Sequence, residues 1–230
     1  MRVVLVHGSV ANGPATFAAL EPLRARFELV VPNRGGYPPA PPVERIDFEQ
    51  QAEELTPLLE DGAHLVGHSY GGVIALLIAA RHPEAVRSLA VSEPPAFGVA
   101  RGDEEVERLI AGLQAFFAAG PYEPAEYLRG FLALVGSELR LPEPVPADLE
   151  QGARAAMVER PPWEAEIPLD QLASAPFPKL VVSGAHNAAF DAVCDALEAR
   201  LGAERAVLPG AGHSIPRAPG YAERLLDFFG

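Results

Sequence analysis

The chain of 230 residues predicts an α/β protein: a mostly parallel β-sheet flanked by helices on both faces, with a helical insertion late in the order. Three observations predict this. Short β-branched apolar runs alternate with helical patterns over residues 1–97, and the alternation resumes over 176–230. Between them, residues 98–175 hold helical patterns separated by prolines and no convincing strand. Hydrophobic residues make up 49% and charged residues 21%, so a sizeable core can be buried. The length suits one domain with an inserted subdomain better than two domains.

Each element has its own signal. Residues 3–7 (VVLVH) form a continuous apolar run, as a strand buried on both faces requires. Residues 15–26 read as a helix and 27–32 (FELVVP) as a second strand. Residues 33–43 carry two adjacent glycines and several prolines and read as a loop. Asp47 then caps a helix running to about Glu60. Residues 63–67 (AHLVG) are the next strand, 70–81 a hydrophobic helix ended near Pro83, and 85–91 (AVRSLAV) another strand. The insertion shows helices near 103–119, 124–135 and 147–159. Beyond it come a strand at 178–183, a helix at 188–201, a strand at 204–208 and a last helix at 219–229. Phe116, Phe117, Tyr122, Tyr127, Phe131 and Trp163 all lie in the insertion. They either line an apolar cavity or pack the insertion together, and packing is the commoner role for such residues.

Charge and composition exclude several function classes. The formal net charge is −13, and the 18 Lys and Arg are spread along the chain. Nucleic-acid binding needs a basic patch that displaces counterions from phosphates, and none is present. The longest uninterrupted apolar stretch, residues 73–80, is far short of the roughly 20 residues that span a bilayer. The apolar run at the N-terminus stops at His7, too early for a secretory signal. Cys194 is the single cysteine, so no intramolecular disulfide can form. The expectation is a soluble, cytoplasmic protein acting on a small molecule, with oligomeric state left open. No cofactor is expected, because Gly8 and Gly13 do not match the dinucleotide fingerprint. No metal is expected either, since the histidines lack ligand spacing.

The sharpest chemical signal is Gly67-His68-Ser69-Tyr70-Gly71, which follows a strand and opens a helix. That context is the one a nucleophile elbow requires. A serine on a sharp strand-to-helix turn needs neighbours with almost no side chain. The helix beginning at Tyr70 also aims backbone N–H groups at any developing oxyanion. A hydroxyl is a weak nucleophile, so Ser69 needs a base. Among six histidines, His64 and His82 sit at element ends and read as surface residues, and His68 lies inside the elbow. His186 follows the strand ending near Gly184. His213, in Gly210-Ala211-Gly212-His213-Ser214, follows the last strand on a flexible loop, where a base arriving from across the sheet belongs.

With these residues in place, the chain resembles the α/β-hydrolase family over essentially its whole length. The resemblance rests on His7-Gly8, on the elbow around Ser69, and on Gly212-His213. It implies an α/β-hydrolase fold trimmed to about six strands, with a core of residues 1–97 and 176–230 and a helical cap or lid at 98–175. It also implies an oxyanion hole made by the N–H of Ser9, which follows His7-Gly8, together with that of Tyr70.

The third member of the triad departs from the family pattern. The family places an aspartate after the penultimate strand in Gly-x-x-Asp, whereas this chain has Gly184-Ala185-His186-Asn187. An amide cannot carry the charge that stabilises an imidazolium. Glu93, in Ser92-Glu93-Pro94-Pro95, stands at the end of the neighbouring strand, a position some family members use for the acid. Asp191 and Asp195 are further options, although the helical pattern places them beyond the loop. The resulting expectation is a serine esterase for a small apolar substrate, acting through Ser69, His213 and Glu93 and an acyl-enzyme. Two alternatives stand beside it: lactone or C–C bond hydrolysis on the same scaffold, and a degenerate, non-catalytic hydrolase that binds a ligand.

Overall fold

A computed structural model describes residues 1–120, 122–137 and 140–230. Its sheet has six strands: β1 (Arg2–Val6), β2 (Glu28–Val30), β3 (Ala63–His68), β4 (Val86–Ser92), β5 (Lys179–Ser183) and β6 (Glu204–Val207). Their order is β2-β1-β3-β4-β5-β6, and every pairing is parallel. A parallel sheet needs cover on both faces, and the sequence supplies it residue by residue. In β1, Val4 and Val6 join the cluster under α2 (Phe48–Leu55), α3 (Tyr70–Arg81) and α8 (Ala188–Leu201). Val3 and Leu5 point to the opposite face, beneath a 3₁₀ segment (Ala18–Ala25) and α9 (Tyr221–Phe229). This alternation is the period of two expected of a strand.

The central helix α3 is buried from Tyr70 through Ala80, and β3 is buried along its whole length. Both read as nearly uninterrupted apolar runs for that reason. Helix α2 starts where Asp47 Oδ1 accepts the Glu49 N–H at 2.9 Å. It stops earlier than the sequence suggests, at Leu55, because Pro57 lacks an N–H and the chain tightens into a 3₁₀ turn (Thr56–Leu59). Residues 15–26 depart further from expectation. One α-turn, α1 (Gly13–Thr16), gives way to the 3₁₀ segment, whose interior holds Pro22. His64 also differs from its expected surface position. It is 5% exposed, bonds Ser88 Oγ through Nδ1 at 2.7 Å and stacks on Phe229.

Residues 98–175 connect β4 to β5 and contain no strand among the described residues. They form α4 (Glu104–Ala119), α5 (Pro124–Leu134), α6 (Ala147–Met157) and a short α7 (Leu169–Ser174) that has no clear sequence signal. Asp103 caps α4 by accepting from the N–H groups of Glu105 and Val106, and three glutamates follow in its first turn, complementing the helix dipole. Val10, in the loop after β1, shares a small core with Tyr127 and Leu128 of α5 and with Ala153 and Ala156 of α6. A Cβ on Gly152 would collide with the Val10 carbonyl, so α6 rests directly on that loop. No helix among the described residues is long and apolar enough to cross a membrane.

The register aligns the carboxyl ends of the inner strands. Val6 pairs with Gly67, His68 with Ser92, and Ser92 with Val182. Loops leaving these ends therefore meet along one edge, the usual position for a site in an open parallel sheet.

Candidate active site

Backbone strain marks this edge. Of the five non-glycine residues with positive φ among the described residues, four, Val10, Ser69, Glu93 and Ala185, sit in the loops after β1, β3, β4 and β5 respectively, and the fifth, Glu60, lies in the turn before β3. Such conformations persist only where the surrounding structure holds them, and they gather at functional sites.

Ser69 has φ 52° and ψ −127° between β3 and α3. Its N–H donates to the Ser92 carbonyl at 2.9 Å, and its own carbonyl accepts from Gly72 at 2.7 Å. The turn is possible because Gly67 and Gly71, two positions to either side, have no side chains. A Cβ on Gly67 would lie 2.5 Å from the Gly71 carbonyl oxygen, and one on Gly71 would strike the carbonyls of Val6 and His7. The resulting geometry aims Ser69 Oγ at His213, which accepts through Nε2 at 2.9 Å. On the far side of the ring, Nδ1–H donates to Glu93 Oε2 at 2.7 Å. The structure thus brings Ser69, His213 and Glu93 into one hydrogen-bonded line.

Glu93 is fully buried. Burial pulls its carboxyl upward, but contacts with His186 and His213, and the Gly184 N–H at 2.7 Å, outweigh this and lower it to about 2. The group is an anion and can stabilise a protonated His213. Asn187 lies elsewhere in the network: its Oδ1 accepts the Ala189 N–H at 3.0 Å and caps α8. Asp191 accepts from Ser183 Oγ and pairs with Arg205, and Asp195 pairs with the same arginine at 3.0 Å.

Ser9 and Tyr70 flank Ser69. A Cβ on Gly8 would lie 2.8 Å from Ser69 Cβ, so the loop carrying Ser9 passes directly against the serine. Tyr70 opens α3, where the first backbone N–H groups have no partner within the helix. The loop is braced by a buried network that sequence reasoning missed. Arg34, 1% exposed, donates to Gly8 O at 2.8 Å, to Gln51 Oε1 at 2.7 Å and to Glu159 Oε1 at 2.7 Å. Glu159 also accepts from Tyr37 OH at 2.8 Å and from Ser9 Oγ at 2.5 Å. His7 Nε2 accepts the Arg34 N–H, and burial together with the Arg34 charge holds the ring well below its ordinary range. Nothing in the spacing of Arg34 or Glu159 announces this pairing.

Two hollows meet at Ser69. One runs past His68, His213 and Ser214. The other is lined by Phe117, Tyr127, Phe131, Trp163, Phe97 and Phe190, with Glu159 at its side. Four of the six aromatics noted in the insertion thus face this hollow. Phe116 and Tyr122 instead stack on each other at 4.6 Å. Glu93, His186 and His213 bring potential metal-ligand atoms within 4.8 Å of one another. A cation there would displace the proton joining His213 to Glu93, so the group is read as hydrogen-bonded.

The buried ionisable groups make stability fall in acid. Burial, reinforced by the positive charge of His213 when protonated, lowers His68 to about 3, and burial with Arg87 lowers His64 to about 4. Both are neutral in the fold and protonated in the unfolded chain below about 6.5, so the unfolded state binds more protons as pH falls through that window. Glu93 adds a loss between its ordinary 4.5 and about 2. His186 is raised and runs the other way, one ring against His7, His64 and His68. The expected result is a denaturant midpoint that drops steadily from about pH 7 to about pH 4. A flat midpoint would contradict the burial of these rings as neutral groups.

A family model described as "Alpha/beta hydrolase family" matches residues 3–223. Among curated proteins, a pimeloyl-(acyl-carrier protein) methyl ester esterase of Aromatoleum aromaticum is 35% identical over 143 residues, covering 57% of this chain and 54% of that protein. One of the same name from Neisseria meningitidis is 30% identical over 135 residues, covering 58% of this chain and 43% of that protein. The chain spans about half the length of these relatives. Among solved structures, an alpha/beta hydrolase from Sphaerobacter thermophilus superposes with a TM-score of 0.69 at 25% identity, covering all of this chain and 92% of that one.

Proposed function

Given that the chain belongs to the alpha/beta hydrolase family, we propose that it cleaves a carboxylic ester of a small apolar substrate through an acyl-enzyme on Ser69. The observation that carries this reading is the line from Ser69 Oγ to His213 to the buried Glu93 carboxylate, at 2.9 and 2.7 Å, opening onto an aromatic hollow. Relatives named as methyl ester esterases support an ester as the scissile group.

In this mechanism His213 Nε2 takes the serine proton as Oγ attacks the ester carbonyl. The backbone N–H groups of Ser9 and Tyr70 receive the oxyanion, and Glu93 stabilises the imidazolium. Collapse breaks the bond to the alcohol, which leaves with the proton from His213. Water, deprotonated by the same nitrogen, then releases the acid and restores Ser69. The aromatic hollow takes the acyl chain, and the helices of residues 98–175 form the lid above it. The non-catalytic alternative arose from Asn187. Glu93 supplies a carboxylate to His213 without it, which favours catalysis.

The test is turnover of short-chain p-nitrophenyl esters, beside a small lactone panel, with labelling by a fluorophosphonate. The expected outcome is ester hydrolysis and a single adduct on Ser69. Faster lactone opening would move the substrate class. No turnover together with no adduct would leave ligand binding as the better account.

A further inference from the structure

His186 takes no part in this mechanism, yet it lies against the same carboxylate as His213. Its Nδ1 is 3.2 Å from Glu93 Oε1, and its Nε2 is 3.1 Å from the carbonyl oxygen of Val135, just beyond the end of α5. The Nδ1 contact has ion-pair distance without hydrogen-bond alignment, so charge rather than direction holds it. A carbonyl oxygen only accepts, which places a proton on Nε2. With Nδ1 bare, its lone pair would face an anion. Protons on both nitrogens resolve this, and the ring is then an imidazolium.

The surroundings hold the ring in this place. Gly136 packs on it so closely that a Cβ would lie 2.9 Å from its Cδ2, and Phe190 lies nearly parallel to it. Glu93 faces it from the end of β4, His213 from the loop after β6 with ring centroids 6.0 Å apart, and Asp191 from α8. Burial pulls His186 downward, but Glu93, the Val135 carbonyl and Asp191 outweigh it and leave the group raised. Glu93 therefore has two imidazoles and one backbone N–H on its two oxygens.

We propose that His186 is a positioning residue for the relay: as an imidazolium between Glu93 Oε1 and the Val135 carbonyl, it fixes the carboxylate that orients His213, and offsets part of its charge. A second cation near His213 makes proton uptake there costlier, by like-charge repulsion. The same bridge ties the end of α5, above the site, to the acid below it. This inference rests on the esterase reading of Ser69, His213 and Glu93.

The experiment compares pH profiles of kcat/KM for the wild type, His186→Gln and His186→Phe, with Ser69→Ala as control and thermal melts to check folding. Glutamine keeps a donor toward Glu93 and removes the charge. The acid limb of His186→Gln moves to higher pH, so that its kcat/KM there falls roughly threefold to tenfold below wild type, while the alkaline plateau falls less. His186→Phe moves the limb the same way and lowers the plateau further, because the carboxylate is no longer held. Heteronuclear NMR of the wild-type imidazole nitrogens needs no variant, and it shows His186 protonated on both nitrogens on the acid side of the active range. A His186→Gln profile that superimposes on wild type, or a neutral His186 ring throughout that range, overturns the inference while the esterase reading stands. Turnover that survives Ser69→Ala overturns the relay itself, and this inference with it.

Discussion

Ser69→Ala lowers ester turnover by roughly 10⁴-fold or more and abolishes fluorophosphonate labelling. The change deletes one oxygen, the atom 2.9 Å from His213 Nε2. Alanine meets the same backbone requirement as serine at φ 52°, and the bonds holding the turn are made by backbone groups, to Ser92 and Gly72. The fold should therefore survive, with a melting temperature within a few degrees of wild type, about the effect of 1 kcal/mol or less. Groups that act as one unit are not additive, so His213→Ala introduced on top of Ser69→Ala costs little more. Both statements are checked by kcat and by melting curves on the same preparations. A Ser69→Ala protein that keeps a tenth of its activity would remove the serine from the chemistry.

Glu93→Gln lowers kcat by about 10³–10⁴-fold, the loss expected when an orienting carboxylate becomes an amide. The side chain is nearly the same size, so the effect isolates charge and proton direction. Two hydrogen-bond donors, His213 Nδ1 and the Gly184 N–H, and the His186 ring at ion-pair distance converge on the carboxylate. Whichever way the amide turns, its NH₂ faces one of them. If it faces His213, the ring shifts its proton to Nε2, and that nitrogen can no longer take the proton of Ser69. Leaving a buried donor unmatched also destabilises the fold by about 1–3 kcal/mol. Asn187→Asp restores nothing, because position 187 caps α8 through Ala189. The decisive comparison is kcat for Glu93→Gln alone and together with Asn187→Asp. Near wild-type activity in the first, or recovery in the second, would place the acid elsewhere.

Much of the fold was legible because its signals are local. The buried runs of β1 and β3 and the all-apolar α3 report their surroundings directly, since an element covered on every side has no polar face to show. The helices at Tyr70–Arg81 and Ala188–Leu201 have the bounds their patterns indicate. Local signals failed where a side chain's environment depended on distant partners. His64 looks like a strand-end surface residue, but Phe27 and Phe229 close over it. Residues 15–26 have helical spacing, yet Pro22 and the packing of Leu20 and Leu23 under the sheet favour a tighter 3₁₀ path.

The sequence by itself determined the alternation that makes the sheet, the glycine-flanked turn that presents Ser69, and the loop that carries His213. For the acid it pointed to Glu93, by its place at the end of the strand after the elbow helix, with Asp191 and Asp195 as further options. Only the tertiary structure decided which one His213 meets, because Glu93 lies 120 residues from His213, and His213 lies 144 from Ser69. No periodicity spans such distances. The choice comes from strand register: His68 aligned with Ser92, and Ser92 with Val182, set the loops after β3, β4 and β5 side by side. The same alignment brings His186 to Glu93, and the seating of α6 against the loop after β1 brings Glu159 to Arg34 and Ser9. Neither group carries a local signal, since a hydrogen bond across the fold constrains position in space and leaves spacing along the chain free.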